Sequence, residues 1–150
     1  MTAIVLAPID ITDAETTKKV LEAAVAQTKA VDGELHVMTV VPDIVSGLDW
    51  RYAIRGETGG SAEFDMSKVV AECLERLNKI IADQTPAGMS AKTIARHGTV
   101  YEQVLKVAED IGADQIVMGA HRPGLGDFLL GPNTARIVRH ATCSVNVIRI

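Results

Sequence analysis

Residues 115–149 read QIVMG AHRPGLGDFLLG PNTARIVRH ATC SVNVIR, and this stretch decides the fold. Gln115 to Gly119 is short and apolar without alternation, the pattern of a strand buried on both faces. A loop rich in glycine follows, through Gly124 and Gly126 to Gly131. Pro132 then sits where proline opens a helix, because the first helical position needs no N–H. The helix from Asn133 to His140 leads into a last strand, Val145-Asn146-Val147-Ile148-Arg149. A strand, a crossover helix and a second strand predict a parallel pair.

Upstream the same unit recurs. Ile4-Val5-Leu6-Ala7-Pro8-Ile9 is a first buried strand, and Thr12-x-x-Glu15 reads as a capping box opening the next helix. Val20, Leu21, Ala24 and Thr28 share one face of that helix, which ends near Asp32-Gly33. Leu35 to Val41 is a second strand, stopped by Pro42. From Asp43 to Ser61 the chain is irregular, a length that in a compact domain marks a functional or a mobile segment. Helical periodicity returns from Met66 to Ile81, a third strand spans Ala91–Arg96 at a sheet edge, and a stripe from Val100 to Ile111 is closed by Gly112. The fold class is therefore α/β, a five-stranded parallel doubly wound sheet, flavodoxin-like or a close cousin, in one domain over residues 1–150. Ligands in such folds bind beyond the carboxyl ends of the strands, which directs attention to the loops after strands one, two and four.

Composition narrows the function classes. With 15 basic and 19 acidic side chains the net charge is −4, which excludes a sequence-independent nucleic-acid binder. Aromatic residues make up only 3%, leaving few platforms for stacked bases. No apolar run reaches the roughly 18–20 residues of a membrane span. The N-terminus reads as a strand and not as a signal peptide, and Cys73 and Cys143 show no metal or redox spacing. The expected location is cytoplasmic. His36, His97 and His140 read as surface or turn residues, and His121 alone falls in a candidate pocket loop.

The loop after strand one has no glycines, so it builds neither a P-loop nor a dinucleotide fingerprint. Asp10 stands there as an acceptor for a ribose or an adenine amino group, or as a residue that stabilises the turn. The loop after strand four places small residues, His121 and Arg122 ahead of a helix start. Free N–H groups and positive partial charge favour an anion there, and arginine adds a bidentate donor. The alternative is a glycine-rich connector with solvated side chains.

Met118 to Arg149, with Gly119, the Gly131 turn, Val138-Arg139-His140-Ala141 and the terminal Cys143–Arg149 segment, resembles the universal stress protein family. The opening Ile4–Asp10 and the strand ending Thr39-Val40-Val41-Pro42 fit it as well, so the resemblance covers the whole chain. It implies a three-layer sandwich of the adenine-nucleotide alpha hydrolase kind. Nucleotide-binding members carry Gly, two residues, Gly, nine residues, then Gly with Ser or Thr. Here Gly119 and Gly131 match the ends, Arg122 replaces the second Gly, the loop is one residue shorter, and Pro132 replaces Ser or Thr. His121-Arg122-Pro123 with Leu129-Leu130-Gly131 and Asn133 is similar to the F/G-type branch.

By that resemblance Pro8, Ile9 and Asp10 line the adenosine end, the Val41 backbone meets adenine, and Met118 and Gly119 floor the pocket. His121, Arg122, Pro123, Gly131, Pro132, Asn133 and Thr134 surround ribose and phosphates. Proline at 132 offers neither the N–H nor the hydroxyl of serine, a loss on the order of 1–3 kcal/mol per charge-assisted bond. Binding is then weakened or shifted toward AMP or ADP. The implied cofactor is ATP, ADP or AMP, with Mg2+ accompanying a polyphosphate. The implied function is a nucleotide-dependent stress-response regulator, a homodimer through the C-terminal edge strand or a tetramer, with a protein partner of unknown identity. The alternatives are a slow ATPase or autophosphorylating enzyme, and a dimeric interaction module with a degenerate pocket. A flavin carrier is a weaker rival, because Phe128 is the lone aromatic in the loops after strands one and four.

Overall fold

The computed structural model describes residues 2–42, 66–120 and 131–149. Five strands, β1 (Ile4–Pro8), β2 (Glu34–Val41), β3 (Ala91–His97), β4 (Gln115–Gly119) and β5 (Ser144–Ile148), form one sheet. They alternate with α1 (Ala14–Ala30), α2 (Met66–Gln84), α3 (Val100–Ile111) and α4 (Pro132–His140). Every pairing is parallel and the strand order is β3-β2-β1-β4-β5. That order is the first five positions of the dinucleotide-binding 3-2-1-4-5-6 sheet and not the 2-1-3-4-5 of flavodoxin, so the close cousin is the fold realised. Both expected edge strands, β3 and β5, lie at the edges.

Alternation along the buried strands divides the core in two. Val5 and Ala7 of β1, Leu35 and Val37 of β2 and Val117 of β4 meet Val20, Leu21 and Ala24 of α1 and Leu77 and Ile81 of α2. On the opposite face Leu6, Met38, Ile116 and Met118 meet Val104, Val107 and Ala108 of α3 and Ile137 of α4. Leu6, Leu77, Ile116 and Ile137 are fully buried, each contributing about 1.5–3 kcal/mol of apolar burial. This two-sided burial explains why the strands read as apolar runs and not as alternating ones.

Local chemistry sets the connections. Gly33 begins the approach to β2, and a Cβ there would collide with the carbonyl oxygen of Ala3. Gly112 ends α3 in the left-handed region at φ 68°, with Ala113 N–H closing on the Ala108 carbonyl at 2.8 Å.

Two local expectations are corrected. The cap of α1 is Asp13 and not Thr12: Asp13 Oδ1 accepts from Thr16 N–H at 3.1 Å, and Thr16 Oγ1 donates back to Asp13 Oδ2 at 2.7 Å. The carboxylate one residue later accepts both Thr16 donors, while the Asp13 N–H goes to the Asp10 carbonyl, so the reciprocal bond of a capping box is not made and Thr12 is left to serve Asp10. His36 is not a surface residue. It stands in β2 only 6% exposed, its Nε2 3.2 Å from Glu34 Oε1, because a central strand of a doubly covered sheet has no solvent face. The irregular stretch from Asp43 to Ser61 lies outside the described residues.

Candidate functional site

Strand order reverses between β1 and β4, and a cavity of about 670 Å³ opens at their carboxyl ends. It is within the usual range of small-molecule sites, roughly 300–1,000 Å³. β1 stops at Pro8, opposite Met38, while β2 continues to Val41. The shorter central strand leaves a notch between the ends of β2 and β4, and this notch is the cavity.

Its first wall is the turn after β1. Asp10 Oδ1 accepts from Thr12 N–H at 2.9 Å and from Thr12 Oγ1 at 2.6 Å, an Asx turn that holds the carboxylate. The Asp10 carbonyl accepts from Asp13 N–H at 3.1 Å and from the buried Thr17 hydroxyl at 2.8 Å. The turn is thus bonded to the first residues of α1 from both its side chain and its backbone.

The opposite wall is the junction of β4 and α4. Gly131 caps α4 without any side-chain cap bond, and Pro132 occupies the first helical position. The first intrahelical bond runs from Ala135 N–H to the Gly131 carbonyl at 2.9 Å. The N–H groups of Asn133 and Thr134 therefore lie outside the helical ladder, at the positive end of the helix. Thr134 is buried, and its hydroxyl donates to the Gly119 carbonyl at 3.0 Å. α1 also begins beside the cavity, but Asp13 caps it by accepting from Thr16, and the negative charge of that carboxylate makes the end unattractive to an anion.

Nine of the expected site residues line this cavity: Pro8, Ile9 and Asp10 from β1 and its turn, Met118 and Gly119 from β4, and Gly131, Pro132, Asn133 and Thr134 from α4. Val41 does not. Its side chain packs with Val69 and Cys73, and its carbonyl accepts from Gly98 N–H at 3.0 Å. The flanking Val40 and Pro42 reach the cavity instead. His121, Arg122 and Pro123 lie outside the described residues.

Sequence reasoning missed Thr16, Thr17 and Val20 of α1, Thr39 of β2, Cys73 of α2, and Val100 and Val104 of α3, all of which line the cavity. The length difference between β1 and β2 was a usable signal for Thr39. Nothing in the helical periodicity distinguishes Cys73 from the core residues around it. Burial pushes the Cys73 thiol up from its ordinary pKa, which keeps it neutral and poorly nucleophilic. Among the described residues no group of His, Cys, Asp or Glu is placed to hold a metal ion.

The chain matches the universal stress protein family over residues 1–149. It belongs to that family. Universal stress protein G of Shigella flexneri is 30% identical over 147 residues, covering 97% of each chain. Among solved structures, a universal stress protein of Methanocaldococcus jannaschii superposes with a TM-score of 0.73 at 24% identity, over 100% of this chain and 97% of the other. A universal stress protein of Archaeoglobus fulgidus, solved in complex with dAMP, superposes at 0.63 with 18% identity over 99% and 98%.

Proposed function

We propose that this universal stress protein binds an adenine nucleotide in the notch between β2 and β4 and acts as a stress-response regulator through nucleotide-dependent conformation or partner binding. The observation that carries the reading is the mixed lining of the cavity. It joins the uncapped start of α4, with two spare N–H groups, to aliphatic side chains such as Val20 and Val104. A phosphorylated group suits the helix start and a base the aliphatic wall. The dAMP complex of the Archaeoglobus relative supports the ligand class.

Pro132 favours a nucleotide with few phosphates. It removes one N–H from the cradle and has no hydroxyl, so AMP and ADP, which call on fewer phosphate donors, lose less than ATP. His121 and Arg122 are the donors from the preceding loop that complete the phosphate end. β5, a half-exposed edge strand, is the surface through which two copies pair into a homodimer. Isothermal titration with AMP, ADP and ATP, each with and without Mg2+, tests the ligand. Saturable heat with AMP or ADP is expected, and no heat and no thermal shift at millimolar nucleotide would exclude the reading. A light-scattering mass of one chain at tens of micromolar would exclude the dimer.

A further inference from the structure

The described residues contain five buried polar side chains: Thr17, Thr28, His36, Thr39 and Thr134. Four have an evident partner. Thr17 donates to the Asp10 carbonyl, Thr28 to the Ala24 carbonyl and Thr134 to the Gly119 carbonyl, while His36 meets Glu34. Thr39 is the exception. It is 3% exposed, and no hydrogen bond reaches its hydroxyl among the described residues. The fully enclosed side-chain oxygen without a partner among the described residues is Gln115 Oε1, not the Thr39 hydroxyl, which is reached from the cavity and so is open to a ligand there.

Thr39 lines the same cavity, whose wall includes aliphatic and thiol side chains. Val20 comes from α1, Cys73 from α2 and Val40 from the neighbouring position on β2. The other cavity threonines have spent their protons: Thr12 on the Asp10 carboxylate, Thr16 on Asp13, Thr17 and Thr134 on backbone carbonyls. Thr39 is therefore the uncommitted hydroxyl of the cavity wall. β2 and β4 flank β1, so their axes stand about 10 Å apart at the usual strand spacing. A ligand whose phosphate sits at the start of α4 places its far end beside β2.

We propose that Thr39 is the specificity-determining residue at the inner end of the cavity, where its hydroxyl bonds the polar edge of a heteroaromatic base. The assignment rests on the nucleotide reading above and extends it. A hydroxyl both donates and accepts, so it selects a ring with a hydrogen-bonding edge over one that is wholly apolar. A ring without a hydrogen-bonding edge seated against the hydroxyl would leave it unpaired, which adds to the discrimination.

The test uses the full chain with AMP as the probe, comparing wild type, Thr39→Val and Thr39→Ser by titration and by thermal melting. Thr39→Val is close to isosteric and removes only the hydroxyl. It is expected to weaken AMP binding roughly three- to tenfold, the net worth of one neutral hydrogen bond. The same variant without ligand melts no lower than wild type, since the hydroxyl replaced by a methyl group makes no bond within the described residues. Thr39→Ser keeps wild-type affinity within about twofold, short of that loss. If Thr39→Val binds AMP as tightly as wild type does, the role of Thr39 is overturned and the nucleotide reading stands. A Thr39→Val protein that melts well below wild type marks a packing residue and also overturns it. A wild type that binds no adenine nucleotide removes both.

Discussion

The hydroxyl of Thr134 donates to the carbonyl of Gly119 at 3.0 Å, joining the first turn of α4 to the last residue of β4. The bond spans the loop between the two elements and sets where the start of α4 stands relative to the sheet edge. Together with the buried Ile137 one turn later, it holds the spare N–H groups of Asn133 and Thr134 at the cavity.

Thr134→Val removes that bond and leaves the Gly119 carbonyl without it. The expected cost is about 1–3 kcal/mol, a fall of roughly 2–4 °C per kcal/mol for a chain of this size. Thr134→Ser retains the donor and recovers most of the loss. Differential scanning calorimetry of the three proteins checks this, and nucleotide affinity falls in the same order.

Pro132→Ser returns an N–H and a hydroxyl to the cradle. AMP binding is expected to tighten by roughly tenfold, since a bond to a charged group is worth about 1.5–3 kcal/mol and ordering takes part of it. Adenosine, which has no phosphate, binds both proteins equally. Titration with the pair of ligands separates a phosphate effect from a general repacking of the helix.

Asp13→Ala removes the cap of α1. A lost N-cap costs about 1 kcal/mol, here with the added loss of the Thr16 hydroxyl bond. The urea midpoint is expected to fall with an unchanged slope. The slope reports the surface exposed on unfolding, and a cap substitution leaves that surface the same.

Glu34 supplies a pH-dependent contribution. The hydrogen bond with His36, followed by the charge of Lys92 at 3.6 Å, holds its carboxyl below the ordinary value of 4.5. A carboxyl with a lowered folded pKa stabilises the protein above its unfolded pKa, and the contribution is lost as pH falls through the folded value. Glu34→Gln is therefore less stable than wild type at pH 7, and the two converge toward pH 3. Because Glu34 is exposed, the gap at pH 7 is small and shrinks further in high salt. Urea midpoints across this pH range test the sign.

The order of elements was legible because each buried strand is an apolar run and each helix carries one apolar stripe. Val5-Leu6-Ala7 and Ile116-Val117-Met118 declare two-sided burial, and Gly112 and Pro132 mark helix ends whose backbone demands are local. The cap of α1 was misplaced by one residue because Thr12 and Asp13 are both competent acceptors. Only the path of the turn decides which one reaches Thr16. His36 was misjudged for a different reason: a histidine has no intrinsic preference that reveals whether its strand is central.

The site divides along the same line. Pro8 to Asp10 and Gly131 to Thr134 were legible as cavity residues, because they sit at chain positions where a strand ends or a helix begins. Thr39, Cys73 and Val104 were not, since each lies within a regular element and enters the cavity through a neighbour's geometry. By itself the sequence determined which segments are strands and helices, because hydrophobic period and capping chemistry act over a few residues. The tertiary structure decided that β1 lies between β2 and β4 and ends short of both, which exposes a threonine hydroxyl inside the core. That outcome depends on strand order and on relative strand length across the sheet, quantities summed over the whole packed chain and carried by no local stretch of it.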